Sequence, residues 1–402
     1  MKRALAAALC CLVGVAHAAQ SDHHSVSYSI WTVSGSSVLL KILLPVDEAQ
    51  RLLGADVPLL TTKRLGDYVL RHTAVQAGGR DCPAVDQGYD LGRVDPLAVG
   101  PNLYGFELLF RCPAASSLTL HDHVLFERVV GHVNFARIEK DGHAAEQLFT
   151  ADRQRLQIPD SGALPEAGIG SYIRLGAMHL LHSLDRLCIL FGSLLLVRRR
   201  RDAALLAAGL VAGYVAALAV SAGGWILPRM WLLEAFMGFM VALLAAVITL
   251  RELRQARVAV LGCPGLLLLL TIAAALMRLP WQALTLCGAA VLSGGLLAAA
   301  ARFESPRTLW IVPATLIGFL DGFVLPSLLA PLPTPHSSQL RMVTGFDLGA
   351  ASTAVLLIGL LVGAVTLASR RRLAPPRQAA NEIAATVLGG IGAYWLVSRL
   401  IF

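Results

Sequence analysis

The sequence has little charge and few aromatic residues: 15% of its 402 residues are charged and 6% are aromatic, whereas 56% are hydrophobic. This composition is too apolar for an ordinary soluble protein and is typical of a chain that lies mostly in a membrane. Common catalytic motifs are also absent, since the sequence contains no G-x-S-x-G, no H-E-x-x-H and no glycine-rich phosphate loop in context. We therefore expect that the protein is not an enzyme.

The net charge of +8 does not indicate nucleic-acid binding. The basic residues stand in short clusters at the ends of apolar runs, which is the distribution that the positive-inside rule describes for multi-pass membrane proteins. The composition thus predicts membrane lipid as a partner and no nucleic acid.

The first 18 residues have the features of a secretory signal peptide. Lys2 and Arg3 precede an apolar stretch, and Ala16-His17-Ala18 forms a small-residue cleavage site. Export would place Cys82 and Cys112 in an oxidising compartment. We expect these two cysteines to form a disulfide that closes a loop of roughly 30 residues.

Two regions follow the signal peptide. Residues 19–158 alternate short β-rich runs, such as SVSYSIWTV and DYVLRHTAVQA, with turn residues, and they predict an exported antiparallel β-sandwich domain with one short helix at 47–54. Residues 159–171 form a linker rich in Pro, Gly and Ser. Residues 172–402 predict an all-α bundle of about eight transmembrane helices, because each apolar run can cross about 30 Å of hydrocarbon. The runs cover 172–197, 203–222, 230–250, 258–277, 281–301, 308–330, 343–368 and 379–400.

The loops between these runs predict the orientation in the membrane. One set of alternate loops holds 13 basic residues, whereas the other set, with the tail, holds four: Arg229, Arg278, Arg341 and Arg399. The positive-inside rule then predicts a multi-pass protein of the bacterial inner membrane, with the N-terminal domain and the C-terminus in the periplasm.

The stretch HLLHSLDR places ionisable residues within the first apolar run. His179, His182, Asp185 and Arg186 stand at i, i+3, i+6 and i+7, on one side of a helix. Imidazole and carboxylate groups together suit nickel, cobalt, copper or zinc, so this face is a candidate metal site. In the alternative interpretation, the histidines lie at the membrane interface and Asp185 pairs with Arg186 or with another helix. Arg186 favours this alternative, because a fixed cation repels a divalent ion.

Several segments resemble the HupE/UreJ family. LGAMHLLHSLDRLCILFGSLLLV resembles the first-helix signature of that family, roughly G-x-x-H-x-x-x-G-x-D-H-L. Members are linked to nickel or cobalt uptake and to hydrogenase or urease maturation. The resemblance implies a nickel or cobalt permease in which His179, Asp185 and Glu234 ligate the transported ion. Further similar segments follow in the family's order, namely WLLEAFMGFMVALLA (231–245), IGFLDGFVLPSLL (317–329), GFDLGAA (345–351) and GGIGAYWLVSRLIF (389–402).

The sequence departs from the family pattern at several positions. Arg186 and Asp321 each replace a histidine, Asp347 replaces an asparagine and Ala351 replaces a glutamate, while AGYVAALAVS (212–221) lacks the histidine of the family's F-T-x-A-H-S motif. If Arg186 and Asp321 occupy positions that converge on one metal ion in relatives, they should form a buried ion pair with each other. Two functions therefore stay open. One is a permease with a diverged metal site, and the other is a non-transporting membrane accessory protein whose periplasmic domain binds a partner.

His121 and His123 form a second histidine pattern, in SLTLHDHVLF. On a strand they would share one face, which is a spacing that can chelate a metal. Solvated strand histidines are the alternative interpretation.

Overall fold

A computed structural model defines the fold of the chain, which divides into two compact units. One unit comprises His23–Tyr172 together with Leu325–Met342, and the other comprises Ile173–Val324 and Val343–Phe402. The structure describes residues 25–46, 48–49, 62–94, 103–113, 117–129, 131–160, 163–197, 199–224, 228–251, 261–302, 306–370 and 377–401.

The first unit is built mainly from strands. In chain order its elements are β1 (Val26–Ser34), β2 (Ser37–Pro45), α1 (Thr62–His72), β3 (Thr73–Ala77), β4 (Arg80–Asp81), β5 (Ala84–Val94), β6 (Leu103–Arg111), β7 (Leu118–Asp122), β8 (Val133–Lys140), β9 (His143–Thr150) and β10 (Arg155–Ile158). A six-stranded sheet has the order β5-β6-β2-β1-β8-β9, and a four-stranded sheet has the order β10-β7-β3-β4. The predicted antiparallel pairing is wrong for one pair, because β1 and β8 are parallel.

The two sheets contribute to one hydrophobic core. Trp31 and Leu40 of the six-stranded sheet and Val75 and Leu120 of the four-stranded sheet have no exposed surface and belong to the same buried cluster. Alternate residues of a strand point to opposite faces, so each sheet turns one face to this core. The predicted N-terminal β-sheet region is thereby confirmed.

The predicted disulfide joins Cys82 and Cys112, which are 30 residues apart in the chain. Both cysteines are buried and are part of the same hydrophobic cluster as the core residues of the two sheets. The bond therefore closes its loop against the core.

The strand prediction for DYVLRHTAVQA is wrong in its first six residues, which end α1. Leu65 and Val69 are buried one helical turn apart, so this segment has a helical apolar period. Arg71 and His72 lie in the last turn, where the negative end of the helix dipole stabilises positive charge. The predicted helix at 47–54 lies mostly outside the described residues, although Glu48 and Ala49 are helical.

The described part of the chain from Ile169 onward is mainly helical. Its helices are α2 (Ile169–His182), α3 (Leu184–Leu196), α4 (Arg200–Ala222), α5 (Met230–Arg251), α6 (Cys263–Leu276), α7 (Pro280–Arg302), α8 (Pro306–Asp321), α9 (Val324–Leu329), α10 (His336–Arg370) and α11 (Arg377–Ile401). Within the described residues, six segments are long and apolar enough to cross a membrane, and the bent pair of α2 and α3 brings the number to seven if it counts as one span. The multi-pass helical part is thus confirmed, whereas the number eight is not. The expected span at 258–277 appears as α6, which has 14 residues, after a stretch that is outside the described residues.

Glycines let pairs of helices approach closely. A Cβ atom added at Gly213 of α4 would clash with backbone atoms of α8, one at Gly349 would bring α10 into collision with α2, and one at Gly392 would do the same between α11 and α5. Small residues at such crossings are typical of packing inside membranes, where close backbone contact replaces a hydrophobic driving force. These three crossings position the polar groups described next.

Candidate functional site

A break between α2 and α3 places charged residues inside the helical unit. Ser183 has an extended backbone, with φ −88° and ψ 104°, and α2 and α3 meet there at 69°. The Ser183 hydroxyl donates a hydrogen bond to the His179 carbonyl at 2.6 Å, which is a side-chain contact that bends helices. Asp185 and Arg186 consequently lie in the first turn of α3, where both are buried.

Three polar side chains surround the carboxylate of Asp321, the last residue of α8. The Arg186 Nε donates to its Oδ1, and the Tyr214 hydroxyl of α4 donates to its Oδ2. The His179 Nε2 lies 3.6 Å from Oδ1. All four side chains are buried, so the guanidinium and the carboxylate attract each other in a medium that screens charge far less than water does.

Asp185 is held by two arginines. Its Oδ1 accepts from the Arg186 backbone N–H at 2.8 Å and from the Arg186 Nη1 at 3.1 Å. Its Oδ2 accepts from the Nη1 of Arg399 at 3.1 Å. The same Nη1 donates to the Glu234 carbonyl at 2.9 Å, and the Arg399 guanidinium lies 5.4 Å from the centre of the Trp395 ring. The polar centre therefore contains two carboxylates and two guanidinium groups, of which Arg186 binds both carboxylates and Arg399 binds Asp185.

The residues predicted to share one helix face separate at this break. His179 is buried and its ring lies 5.0 Å from the ring of Phe346, whereas His182 is exposed and donates to the Met178 carbonyl. The structure thus brings His179, Asp185 and Arg186 into one centre and leaves His182 outside it.

The predicted metal ligands do not form one ligand group in this arrangement. Among the described residues, no three or more His, Cys, Asp or Glu side chains are grouped so that they could hold a metal ion. Asp185 binds arginines, His179 lies beside Asp321, and Glu234 meets the network through its backbone carbonyl. The chemistry available in the centre is therefore that of a salt-bridge network with a buried phenol and imidazole.

Three polar residues of this region were not predicted as parts of the site. Tyr214 and Arg399 bind its two carboxylates. Asp347 of α10 is 4% exposed, and neither of its carboxylate oxygens has a hydrogen-bond partner within the described residues. Tyr214 stands alone among small apolar residues in AGYVAALAVS, which is a signal that sequence reading could have used.

The histidine pair of the β-rich unit also differs from a chelating site. The rings of His121 and His123 lie 6.2 Å apart between centres. His121 bonds to the Gln76 side chain at 3.2 Å, and His123 bonds to the side chain of Gln154. Burial, followed by the charge of Arg155, lowers the pKa of His121. The Arg155 charge that opposes a proton there also opposes a metal ion.

Apolar helices around a charged centre, combined with a β-sheet unit, define a multi-pass membrane protein. Residues 153–294 match the family model described as HupE / UreJ protein. Over these residues the chain is similar to the HupE/UreJ family, the family that the sequence resemblance predicted. No curated protein matches the chain. The matched residues include the segments at 175–197 and 231–245, and the later resemblances at 317–329, 345–351 and 389–402 lie beyond them.

Proposed function

We propose that this chain is a membrane accessory protein of HupE/UreJ type that does not pass a divalent metal ion through its polar centre, and that its N-terminal domain binds a protein partner. The observation that carries the proposal is the contact between the Arg186 guanidinium and the Asp321 carboxylate. A cation bound to Asp321 would have to displace this guanidinium.

Charge balance in the centre supports the proposal. Arg186 and Arg399 face Asp185 and Asp321, so the two cations offset the two anions. At an effective dielectric constant of 20, two like unit charges 4 Å apart repel by about 4 kcal/mol, and a divalent ion beside one guanidinium would feel roughly twice that. Breaking a buried pair adds a further cost, because one partner is then left without its counter-charge.

The second candidate function is a nickel or cobalt permease. The family match favours it, since the matched residues contain His179, Asp185 and Glu234, which would ligate the transported ion. The two arginines would then have to leave Asp185 during each transport cycle, which requires a second placement of the Arg186 and Arg399 side chains.

Uptake of radioactive nickel and cobalt separates the two candidates. Cells with the protein and cells without it should take up equal amounts if the accessory function is right. The permease function instead predicts protein-dependent uptake that His179→Ala and Asp185→Ala abolish at normal folded yield, and that Arg186→Ala increases. Arg229→Ala is the matched control, because this exposed arginine lies in a loop. Protein-dependent uptake in the wild type would overturn the accessory function.

We further infer where the protein resides. Residues 1–18 would direct export and be removed, residues 19–158 would form a periplasmic β-sandwich, residues 159–171 would be the linker, and residues 172–402 would span the bacterial inner membrane about eight times. The excess of arginine in alternate loops and the disulfide of an oxidising compartment support this location. A reporter fused after Phe402 should be active only if it is a periplasmic reporter, and a cytoplasmic signal would mean an odd number of spans.

A further inference from the structure

A cavity of about 560 Å³ lies on the β-rich unit. Its floor is the outer face of the four-stranded sheet, where Gln157, Thr119 and Gln76 stand side by side on β10, β7 and β3. Arg155 and His121 form the neighbouring row of the same face. Pockets of 300 to about 1,000 Å³ are the size that small-molecule ligands occupy in proteins.

The walls of the cavity come from other segments of the same unit. Gln147 of β9 is 4% exposed and lines the cavity together with Pro165 and Glu166. Arg153 stands in the turn before β10, and reciprocal backbone hydrogen bonds with Thr150, at 2.8 and 3.1 Å, hold that turn. The cavity therefore has a sheet as its floor and a fixed turn at its rim.

The charges of the cavity are unbalanced in favour of cations. Arg153 and Arg155 both line it, and neither guanidinium has an ion-pair partner in the part of the chain that the structure describes. Glu166 is the one carboxylate among the described lining residues, and the Nη1 of Arg341 already binds it at 2.6 Å. Two guanidinium groups are thus available to a ligand.

The polar groups of the floor are neutral, so the cavity keeps its excess of positive charge. Burial is the largest cause that lowers the pKa of His121, so its ring is neutral at neutral pH and adds no charge. Gln76 donates to the Asp81 carboxylate at 2.8 Å, which turns its carbonyl oxygen towards the His121 Nε2 at 3.2 Å. Thr119 and Gln157 carry side-chain donors on the same floor.

We propose that this cavity binds a small organic anion that carries two or more carboxylate or phosphate groups. Arg153 and Arg155 bind the anionic groups, and the polar floor accepts the body of the ligand. Guanidinium groups suit this task, because their planar fork of donors matches the oxygens of a carboxylate or a phosphate. The site is separate from the polar centre of the helices, so it does not depend on the function proposed above.

Calorimetric titration of the purified full-length chain in detergent tests the proposal, with citrate and inorganic phosphate as probes. Citrate should bind saturably, and phosphate should bind more weakly and compete with it. Arg155→Ala should weaken citrate binding by about tenfold or more, which is the usual effect of losing a hydrogen bond to a charged group. Arg155→Lys should lose less, since it keeps the charge without the fork. Arg80→Ala is the matched control, because this exposed arginine of β4 is not among the lining residues.

Each outcome decides for or against the site. Saturable citrate binding that Arg153→Ala and Arg155→Ala weaken, and that Arg80→Ala leaves unchanged, supports it. Absence of saturable binding of both probes overturns it, as does an equal loss in Arg80→Ala, which would reveal a general charge effect. An unchanged thermal midpoint shows that a variant is folded, and the lysine variant at the same position replaces any alanine variant that fails this check.

Discussion

Arg399 in the last helix donates a hydrogen bond to Asp185 at the start of α3, over 3.1 Å, although 214 residues separate them in the chain. Arg186 holds the other oxygen of the same carboxylate. Asp185 is therefore enclosed by two guanidinium groups, and α11 is a structural part of the polar centre.

Arg399→Ala should lower the folded yield in membranes, because Asp185 would keep Arg186 alone as its cation. The expected loss is smaller than for Arg186→Ala, since Arg399 remains 12% exposed and its partner stays paired. Arg399→Lys should recover part of the yield through its charge. Size-exclusion chromatography of detergent extracts measures the folded fraction, and equal yields of the wild type and Arg399→Ala would contradict this role of Arg399.

The pair of Arg186 and Asp321 should show the cost of an unpaired buried charge. Arg186→Ala, which leaves Asp321 without a cation, should lower the free energy of unfolding by about 3 to 5 kcal/mol, and Asp321→Ala should cost less, because Arg186 keeps Asp185 as its partner. The exchange Arg186→Asp with Asp321→Arg should restore only part of that loss, because it renews the attraction between positions 186 and 321 but places a second carboxylate beside Asp185, which then keeps Arg399 alone as its cation. Thermal unfolding in detergent measures all three variants, with Arg229→Ala as the surface control. An exchange that restores nothing would count against the pair as a stabilising unit.

Asp347→Asn should stabilise the helical unit. A buried group without a hydrogen-bond partner costs about 1 to 3 kcal/mol, and more when it is charged, so a neutral amide should cost less than the carboxylate. The matched substitution Asp321→Asn should do the opposite, since that carboxylate binds Arg186 and Tyr214. Midpoints of thermal unfolding compare the two variants, and a lower midpoint for Asp347→Asn would mean that Asp347 is paired in the folded protein.

Removal of the disulfide should destabilise the β-rich unit. The double variant Cys82→Ser, Cys112→Ser should lose about 3.6 kcal/mol, the value expected for a closed loop of this length. Cys287→Ser removes a free thiol and serves as the control. Mass analysis of non-reduced protein extracted from membranes should reveal the cross-linked peptide, and two free thiols in that protein would contradict the bond.

Asp122→Asn should remove a pH dependence of stability. Burial raises the pKa of the Asp122 carboxyl from 3.8 to about 7, and only its Oδ1 has a partner among the described residues, the Val124 N–H at 2.9 Å. Between these two pKa values the folded state keeps a proton that the unfolded state releases. The stabilisation by this proton is complete below about pH 4 and is lost as the pH rises through 7. Denaturant unfolding of wild type and variant between pH 4 and 8 measures it, and parallel curves would contradict the prediction.

His132 contributes a pH dependence of stability with the opposite sign. This contribution cancels when the wild type is compared with Asp122→Asn. Burial lowers the pKa of His132 from 6.5 to about 3, and its two ring nitrogens lie at 2.7 and 2.9 Å from the hydroxyls of Ser25 and Ser27. Because the folded pKa is lower here, stability is lost as the pH falls below 6.5. Both proteins contain this histidine, so the comparison isolates the carboxyl.

The sequence predicted best the features that depend on composition and local pattern. The signature around His179 and Asp185 led to the HupE/UreJ family, and the apolar runs led to a multi-pass bundle. The count of loop charges predicts that Arg399 lies in the periplasmic tail, because it treats any arginine near a helix end as solvated. Its contact with Asp185 depends on how α11 packs, which no local pattern contains. The sequence does not predict the helical end of α1 for a related reason. Residues 67–72 are too few to show whether their apolar positions repeat every 3.6 residues, as in a helix, or every 2, as in a strand.

The close crossing at Gly213 couples the charges of the polar centre to positions that carry no charge. Tyr214 directly follows Gly213 in α4, and α8, which Gly213 contacts, ends at Asp321. The distance between the backbones of α4 and α8 therefore determines whether the Tyr214 hydroxyl can donate to the Asp321 carboxylate. A methyl group at Gly213 would push α4 and α8 apart without replacing any charged residue. Changes at uncharged positions of these helices can therefore alter the ion network although they remove none of its charges.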